Sequence, residues 1–291
     1  MRKPTINPQG LSRRDSSQQK CFVADEGHMF VFSDLAAAEP TITAYYSKDP
    51  NYLACTLHMV GKRPYYNSKG MLVIDDIYLC VASRFIKWKD EIRQAFEGYY
   101  DGVQGYDQWL INPESISKGV LKKIRGYAKV IALALAYGLG SKKMVLIAQQ
   151  NGFELTMTEA KSFRDLYWST FPLVDKLGKK LITQYNSLGH IMNDFGYCLY
   201  PTSDHKVLNA LIQSTVSGVM DLFNLIFFTK CQEALYVVNI HDEIIFSIPE
   251  DKVVEIKKVF DECVVELNER LGWDVPIRFG WETSKTWDIG K

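Results

Sequence analysis

A chain of 291 residues, 47% of them apolar, can bury a substantial core as one large domain or two modest ones. Lysine plus arginine and aspartate plus glutamate each number 34, so the net charge of +0 supplies no general basic field and any nucleic-acid binding must be local. Apolar runs such as 130–136 fall short of the ~20 residues that cross a bilayer. With no basic-then-apolar leader, the expectation is a soluble intracellular protein without a membrane partner.

Residues 1–20 are polar and carry Pro4, Pro8, Gly10 and Ser16-Ser17, which predicts an irregular arm. From Cys21 to Ser33 a β-prone run holds one turn signal, Asp25-Glu26-Gly27, so a hairpin strand is expected to deliver Asp34 at its tip. Ala36-Ala37-Ala38-Glu39 then favours a helix, with Pro40 early in it, where a missing N–H is tolerated. Between Ser83 and Phe171 the pattern is mainly helical, interrupted by the Gly- and Tyr-rich section 98–106, and it reads as an inserted helical subdomain. Helical sequence continues through 174–187 and 207–232, and period-two apolar sequence returns at 236–248. Strand, helices and strand again imply an α+β fold. The cysteines, Cys21, Cys55, Cys80, Cys198, Cys231 and Cys263, contain no CxxC pair and read as free thiols of a reducing compartment.

Three constellations carry chemistry. In Val237-Val-Asn-Ile-His241-Asp242-Glu243-Ile-Ile-Phe-Ser-Ile248, two β-prone runs flank a charged triplet. Burying adjacent carboxylates is costly unless something compensates, and a divalent cation is a compensation that also performs chemistry. Taken alone, the triplet also fits a hairpin turn with its carboxylates in water. Asp34 closes a strand with Glu39 in the next helix, and strand-end carboxylates from separate segments can converge on a metal; Asp34 taken alone also fits a helix N-cap. In 125–138, Arg125, Lys129, Leu133 and Tyr137 recur every fourth residue and so share one helix face, drifting about 40° per step. Two cations and an aromatic on one face suit a triphosphate with a base stacked beyond it, because Arg grips phosphate bidentately and Lys adds a compact charge. A solvated basic edge is the plainer reading of the same helix.

These residues resemble the family A DNA polymerases of the bacterial polymerase I and phage replicative type. FVFSDLAAAE at 30–39 is similar to the first palm motif, RGYAKVIALALAYG at 125–138 to the fingers helix, and NIHDEIIF at 239–246 to the second palm motif. Asp76-Ile77-Tyr78 sits where the family usually has Asp-Ile-His, Leu208-Asn209-Ala-Leu-Ile-Gln213 resembles its helix with an Asn and a Gln, and Trp287-Asp288 its C-terminal ending. The likeness spans nearly the whole chain, and the motifs keep the family's order. It implies an arm over 1–20, a palm over 21–83 and 184–291 built as an antiparallel sheet with helices, and a mostly helical fingers subdomain over 84–183. Thumb and exonuclease domains are expected to be absent.

The resemblance implies two-metal nucleotidyl transfer from dNTP to a primer 3′-hydroxyl, with Asp34 and Asp242 as ligands of two Mg²⁺ ions and Glu243 assisting. Arg125 and Lys129 would hold the triphosphate, Lys129 would protonate pyrophosphate, Tyr137 would stack near the base and Glu39 would block a 2′-hydroxyl. Leu133 and Tyr78 would line the nucleotide site, standing where the family has Phe or Tyr and His. Arg14 resembles a primer contact, and Asn209, Gln213 and His241 match positions that read the minor groove through acceptors shared by all base pairs. His205, like Tyr197, replaces a common arginine on the DNA side. Extra residues between Asp76 and Arg125 enlarge the fingers. Neutral charge and the missing thumb lead to the expectation of a split or truncated polymerase, with a second polypeptide joining primer-template DNA and dNTPs as partners in a bacterial or phage-infected cytoplasm. A single-subunit RNA polymerase shares the aspartates but lacks the sugar-blocking glutamate and follows its second Asp with Ser; an inactive DNA-binding replisome scaffold is the alternative outside enzymes.

Overall fold

The computed structural model describes residues 19–57, 64–96, 118–136 and 138–287. Arg14, Tyr137, Asp288 and the section 98–106 lie outside these described residues. In chain order the elements begin with β1 (His28–Asp34), α1 (Ala38–Ser47), α2 (Pro50–Thr56), β2 (Tyr65–Tyr66), β3 (Leu72–Val73), α3 (Ile77–Ala82), α4 (Lys89–Ala95), α5 (Lys118–Ala136) and α6 (Ser141–Gln150). They continue with α7 (Met157–Thr170), α8 (Pro172–Leu188), β4 (Ile191–Met192), β5 (Cys198–Leu199), α9 (Val207–Lys230), β6 (Leu235–Ile240), β7 (Glu243–Pro249), α10 (Val253–Leu271) and β8 (Glu282–Ser284). The α+β expectation holds, and the helical stretch between Ser83 and Phe171 contains α4 to α7.

The chain forms two compact units, Met1–Ala38 with Thr215–Lys291, and Glu39–Ser214. The first is built on a sheet of order β6-β7-β1-β8. The antiparallel register of β1 with β7 runs from His28 opposite Pro249 to Asp34 opposite Glu243. Alternation sorts side chains to the two faces: Phe30 and Phe32 join Ile240, Ile245 and Trp287 on one. On the other, Phe246 meets Phe227 of α9 and lies parallel to Phe260 of α10, with ring centroids 5.0 and 6.3 Å apart. Cover on both faces explains why β1 and β7 read as nearly continuous apolar runs. The stretch before the Asp25-Glu26-Gly27 turn does not return along β1 as a hairpin. Val23 instead bridges Thr286, because β7 and β8 already occupy both edges of β1.

The second unit is helical with two short hairpins, β2-β3 and β4-β5. Its helix starts are written in the sequence. The fully buried Asp49 caps α2 through Oδ1, accepting from the N–H groups of Asn51 and Tyr52 at 3.0 and 3.2 Å, while Oδ2 accepts from Leu173 N in the first turn of α8 at 2.9 Å. Thr156 and Glu159 form a reciprocal capping box on α7. Phe85, Trp88 and Phe163 pack edge to face, with Phe85 5.1 Å from each of the other two.

Helix α9 with the turn before it, Asp204–Lys230, is long and apolar enough to cross a membrane by length and composition, a stretch that the shorter apolar runs did not announce. Val219, Phe223 and Phe227 are fully buried, so that apolarity is used inside the protein. Among the cysteines, all free, Cys55, Cys80, Cys231 and Cys263 are buried and Cys21 and Cys198 exposed.

Candidate active site

In the first unit the three carboxylates sit at one end of the sheet. Asp34 is the last residue of β1 and pairs with Glu243, the first of β7. Leu35 N donates to Asp242 O at 2.8 Å, which ties the chain just after Asp34 to the turn between β6 and β7. That turn is two residues, His241 and Asp242, because Ile240 pairs directly with Glu243. Its first position has φ of 58°, a left-handed conformation that glycine adopts freely and histidine does not. His241 and Asp242 therefore form a hairpin turn, as the plainer reading held, but Asp242 and Glu243 are half-buried and not simply in water, and the turn sets Asp242 beside the β1 tip. Helix α1 begins at Ala38, which leaves Asp34 too far upstream to be its cap.

A residue that sequence reasoning missed completes this end of the sheet. Gly280 N donates to Asp34 O at 2.8 Å, and a Cβ built on Gly280 would stand 2.3 Å from Asp34 Oδ1. Only glycine leaves the carboxylate where it is. Ala37, in the connection between β1 and α1, also has a left-handed conformation, with φ of 49°.

The second unit assembles the residues expected to hold a nucleotide. Helix α5 presents Arg125 and Lys129 over the Tyr78 ring, with Arg125 Cζ 5.6 Å and Lys129 Nζ 5.9 Å from its centroid. Glu39, Tyr78, Leu133 and Asn209 line one cavity with Tyr52 and Tyr167. Its volume of about 30 Å³ holds one or two waters. Gln213 donates to Glu39 through Nε2. Burial, and then the Glu39 carboxylate, pushes the Tyr78 phenol far above its usual range.

Asp76 is the second residue that the sequence reading left without a role. Its Oδ1 caps α3, accepting from Tyr78 N and Leu79 N at 3.0 Å each, and its Oδ2 pairs with Arg125 Nε. His205 lies in another part of the unit. It touches Gly138, where φ is 69° and a Cβ would meet His205 Cβ at 2.5 Å, and it lines a groove of about 560 Å³ with Lys142, Lys143, Lys161 and Arg164.

The DNA polymerase family A model matches residues 110–289. Among curated relatives, DNA polymerase I of Aquifex aeolicus is 24% identical over 275 residues, covering 91% of this chain and 40% of that protein. The thermostable DNA polymerase I of Thermus filiformis is 22% identical, covering 92% of the chain and 28% of the relative, and the DNA polymerase of Escherichia phage T5 is 23% identical, covering 87% and 30%. Among solved structures, the POL domain of Pol1 from M. smegmatis in complex with DNA primer-template and dNTP aligns with a TM-score of 0.68 at 19% identity, over 97% of this chain and 44% of that one. The chain spans less than half the length of each of these proteins. With the family model matched over more than half of its residues, and with the fold of a polymerase domain, this chain belongs to DNA polymerase family A.

Proposed function

We propose that this chain carries out template-directed DNA synthesis, transferring a nucleotidyl group from a dNTP to a primer 3′-hydroxyl. The observation that carries this reading is the strand-tip arrangement: Asp34 opposite Glu243, Asp242 in the adjoining turn, and a glycine that leaves room for the Asp34 carboxylate. Magnesium takes one or two protein carboxylates and leaves its other positions to water and phosphate oxygens. Asp34 and Asp242, brought to one end of the sheet by strand register and the β6-β7 turn, fit that pattern. Two Mg²⁺ ions held there, with Glu243 alongside, would activate the primer hydroxyl and neutralise charge on the leaving pyrophosphate.

In this proposal Arg125 and Lys129 grip the triphosphate and Lys129 gives a proton to the pyrophosphate. Tyr78 and Leu133 line the nucleotide site, Tyr137 stacks near the base and Glu39 excludes a 2′-hydroxyl. Arg14 contacts the primer; Asn209, Gln213 and His241 read the minor groove; and His205, with the lysines of its groove, lies along DNA phosphates. The division into arm 1–20, palm 21–83 and 184–291, and fingers 84–183 belongs to the same proposal. So does a second polypeptide that grips the duplex, which the net charge of +0 supports, in a bacterial or phage-infected cytoplasm.

The test is primer extension with dNTPs or rNTPs, using wild type and Asp242→Ala, each alone and with co-purifying proteins. Asp242→Ala is expected to lose at least about a thousandfold in rate, roughly 4 kcal/mol of transition-state stabilisation. Near-normal extension by this variant would remove the metal assignment. Preferential use of rNTPs would favour an RNA polymerase, and wild type inactive under every condition a scaffold. Equal processivity with and without the co-purifying proteins would remove the second polypeptide.

A further inference from the structure

We propose that Asp76 is a positioning residue, holding Arg125 so that the end of its guanidinium, and not its side, meets phosphate. The inference rests on the reading that Arg125 binds the triphosphate. Asp76 joins two jobs in one carboxylate whose side chain is only 11% exposed. Oδ1 accepts both cap hydrogen bonds of α3, and Oδ2 takes Arg125 Nε from the facing α5. A guanidinium can bind two oxygens along its Nε–Nη edge or across its two Nη nitrogens. With Nε occupied by Asp76, the Nη pair is the edge left for a phosphate.

Charge supplies the reason for a carboxylate at this point. Arg125 and Lys129 stand over the same Tyr78 ring, so two like charges share one small surface. Asp76 offsets part of their repulsion and fixes one of the pair. Tyr78, two residues after Asp76, forms the ring beneath both cations, so the α3 cap sets the carboxylate and the ring together. Without Oδ2, Arg125 keeps its charge and loses its direction.

Asp76→Asn separates the two jobs. The asparagine retains an oxygen for the cap, and Asn caps helices as well as Asp does, but the oxygen that received Arg125 becomes an amide donor. The measurement is the dissociation constant of inorganic tripolyphosphate for the full chain, which needs neither primer nor metal-loaded turnover. Wild type, Asp76→Asn, Arg125→Ala and the double variant form a cycle, with melting curves as the fold control. Asp76→Asn is expected to weaken binding about tenfold, the size of one charge-assisted hydrogen bond, with an unchanged thermal midpoint. In the Arg125→Ala background it is expected to add nothing, because Asp76 acts through Arg125.

No weakening, tighter binding, or the same weakening in both backgrounds would overturn the positioning role while leaving Arg125 as a phosphate ligand. An Arg125→Ala protein that binds tripolyphosphate as wild type does would overturn the Arg125 reading itself, and the inference with it. If the asparagine variant fails to fold, Asp76→Ser keeps a capping oxygen without the carboxylate and is judged by the same outcomes.

Discussion

The strand tips that carry Asp34 and Asp242 and the helix face that carries Arg125 and Lys129 are built by different means. Backbone fixes the acidic end: strand register places Asp34 opposite Glu243, main-chain bonds tie Leu35 to Asp242 and Gly280 to Asp34, and His241 bends into a left-handed turn. Side chains fix the basic face: a carboxylate on Arg125, an aromatic ring under both cations, and an amide on Glu39. Backbone placement resists change at most positions but fails where an added Cβ has no room, as at Gly280. Side-chain placement can be retuned one partner at a time.

Gly280→Ala tests the backbone half of this contrast and has the largest expected effect of the three that follow. The glycine has no positive φ to lose, so the substitution adds only a Cβ, 2.3 Å from Asp34 Oδ1. The end of the Asp34 side chain must shift by about 1 Å, a misplacement that costs about a hundredfold in rate when it falls on a catalytic group. Primer extension is expected to slow by that amount while tripolyphosphate binding and the fold stay as they were. Near-normal extension would show that Asp34 can swing aside, and the acidic end would be no stiffer than the basic face.

Alkaline unfolding tests the side-chain half. Burial pushes the Tyr167 phenol up to about 12, with Asp49 and Glu39 adding to the rise and the Tyr52 hydrogen bond opposing it. A tyrosine titrates near 10 in the unfolded chain. Because the folded value is the higher one, its stabilising contribution is fully present below about pH 10 and is lost as pH rises toward about 12. The amount at stake is about 2 kcal/mol. In urea titrations from pH 9 to 12, wild type is expected to lose stability faster than Tyr167→Phe by about this amount. Equal slopes would mean that the buried tyrosines do not govern the alkaline limit of the helical unit.

The same contrast decides what could be read from the sequence. β1, β7 and the α5 stripe were legible because one run of residues contains the whole signal: a β-prone, nearly continuous apolar run with a carboxylate at its end, or cations at fourth-residue spacing. α10 carries the helical period through Ile256, Phe260, Cys263 and Leu267 but was not read as a helix, because no motif drew attention to it. β8 is Glu282-Thr283-Ser284, polar throughout, and it is a strand only because the backbone of β1 pairs with it. Gly280 and Asp76 stayed hidden for a related reason. Gly280 is defined by an atom on Asp34, at the far end of the chain, and Asp76 by an arginine 49 residues away. The cap reading of Asp34 does not hold because the helix starts later, whereas Asp49 and Asp76, which the sequence reading did not take as caps, do cap α2 and α3.

His241 gives the smallest expected effect and the sharpest question about the turn. A residue other than glycine in the left-handed region costs about 1 kcal/mol, and asparagine tolerates that region better than most side chains. Glycine would remove the strain but lose about as much through the entropy of the unfolded chain. His241→Asn is therefore expected to stabilise the protein by about 0.5 kcal/mol and His241→Gly to leave it nearly unchanged. Histidine at this position thus costs stability, and the minor-groove contact proposed for its ring would be a reason to keep it. Melting curves read the first effect and primer-template binding the second. If the asparagine variant is more stable and binds DNA more weakly, the turn holds a strained histidine for its ring; if it is more stable and binds equally well, His241 leaves the site, and the strain belongs only to placing Asp242.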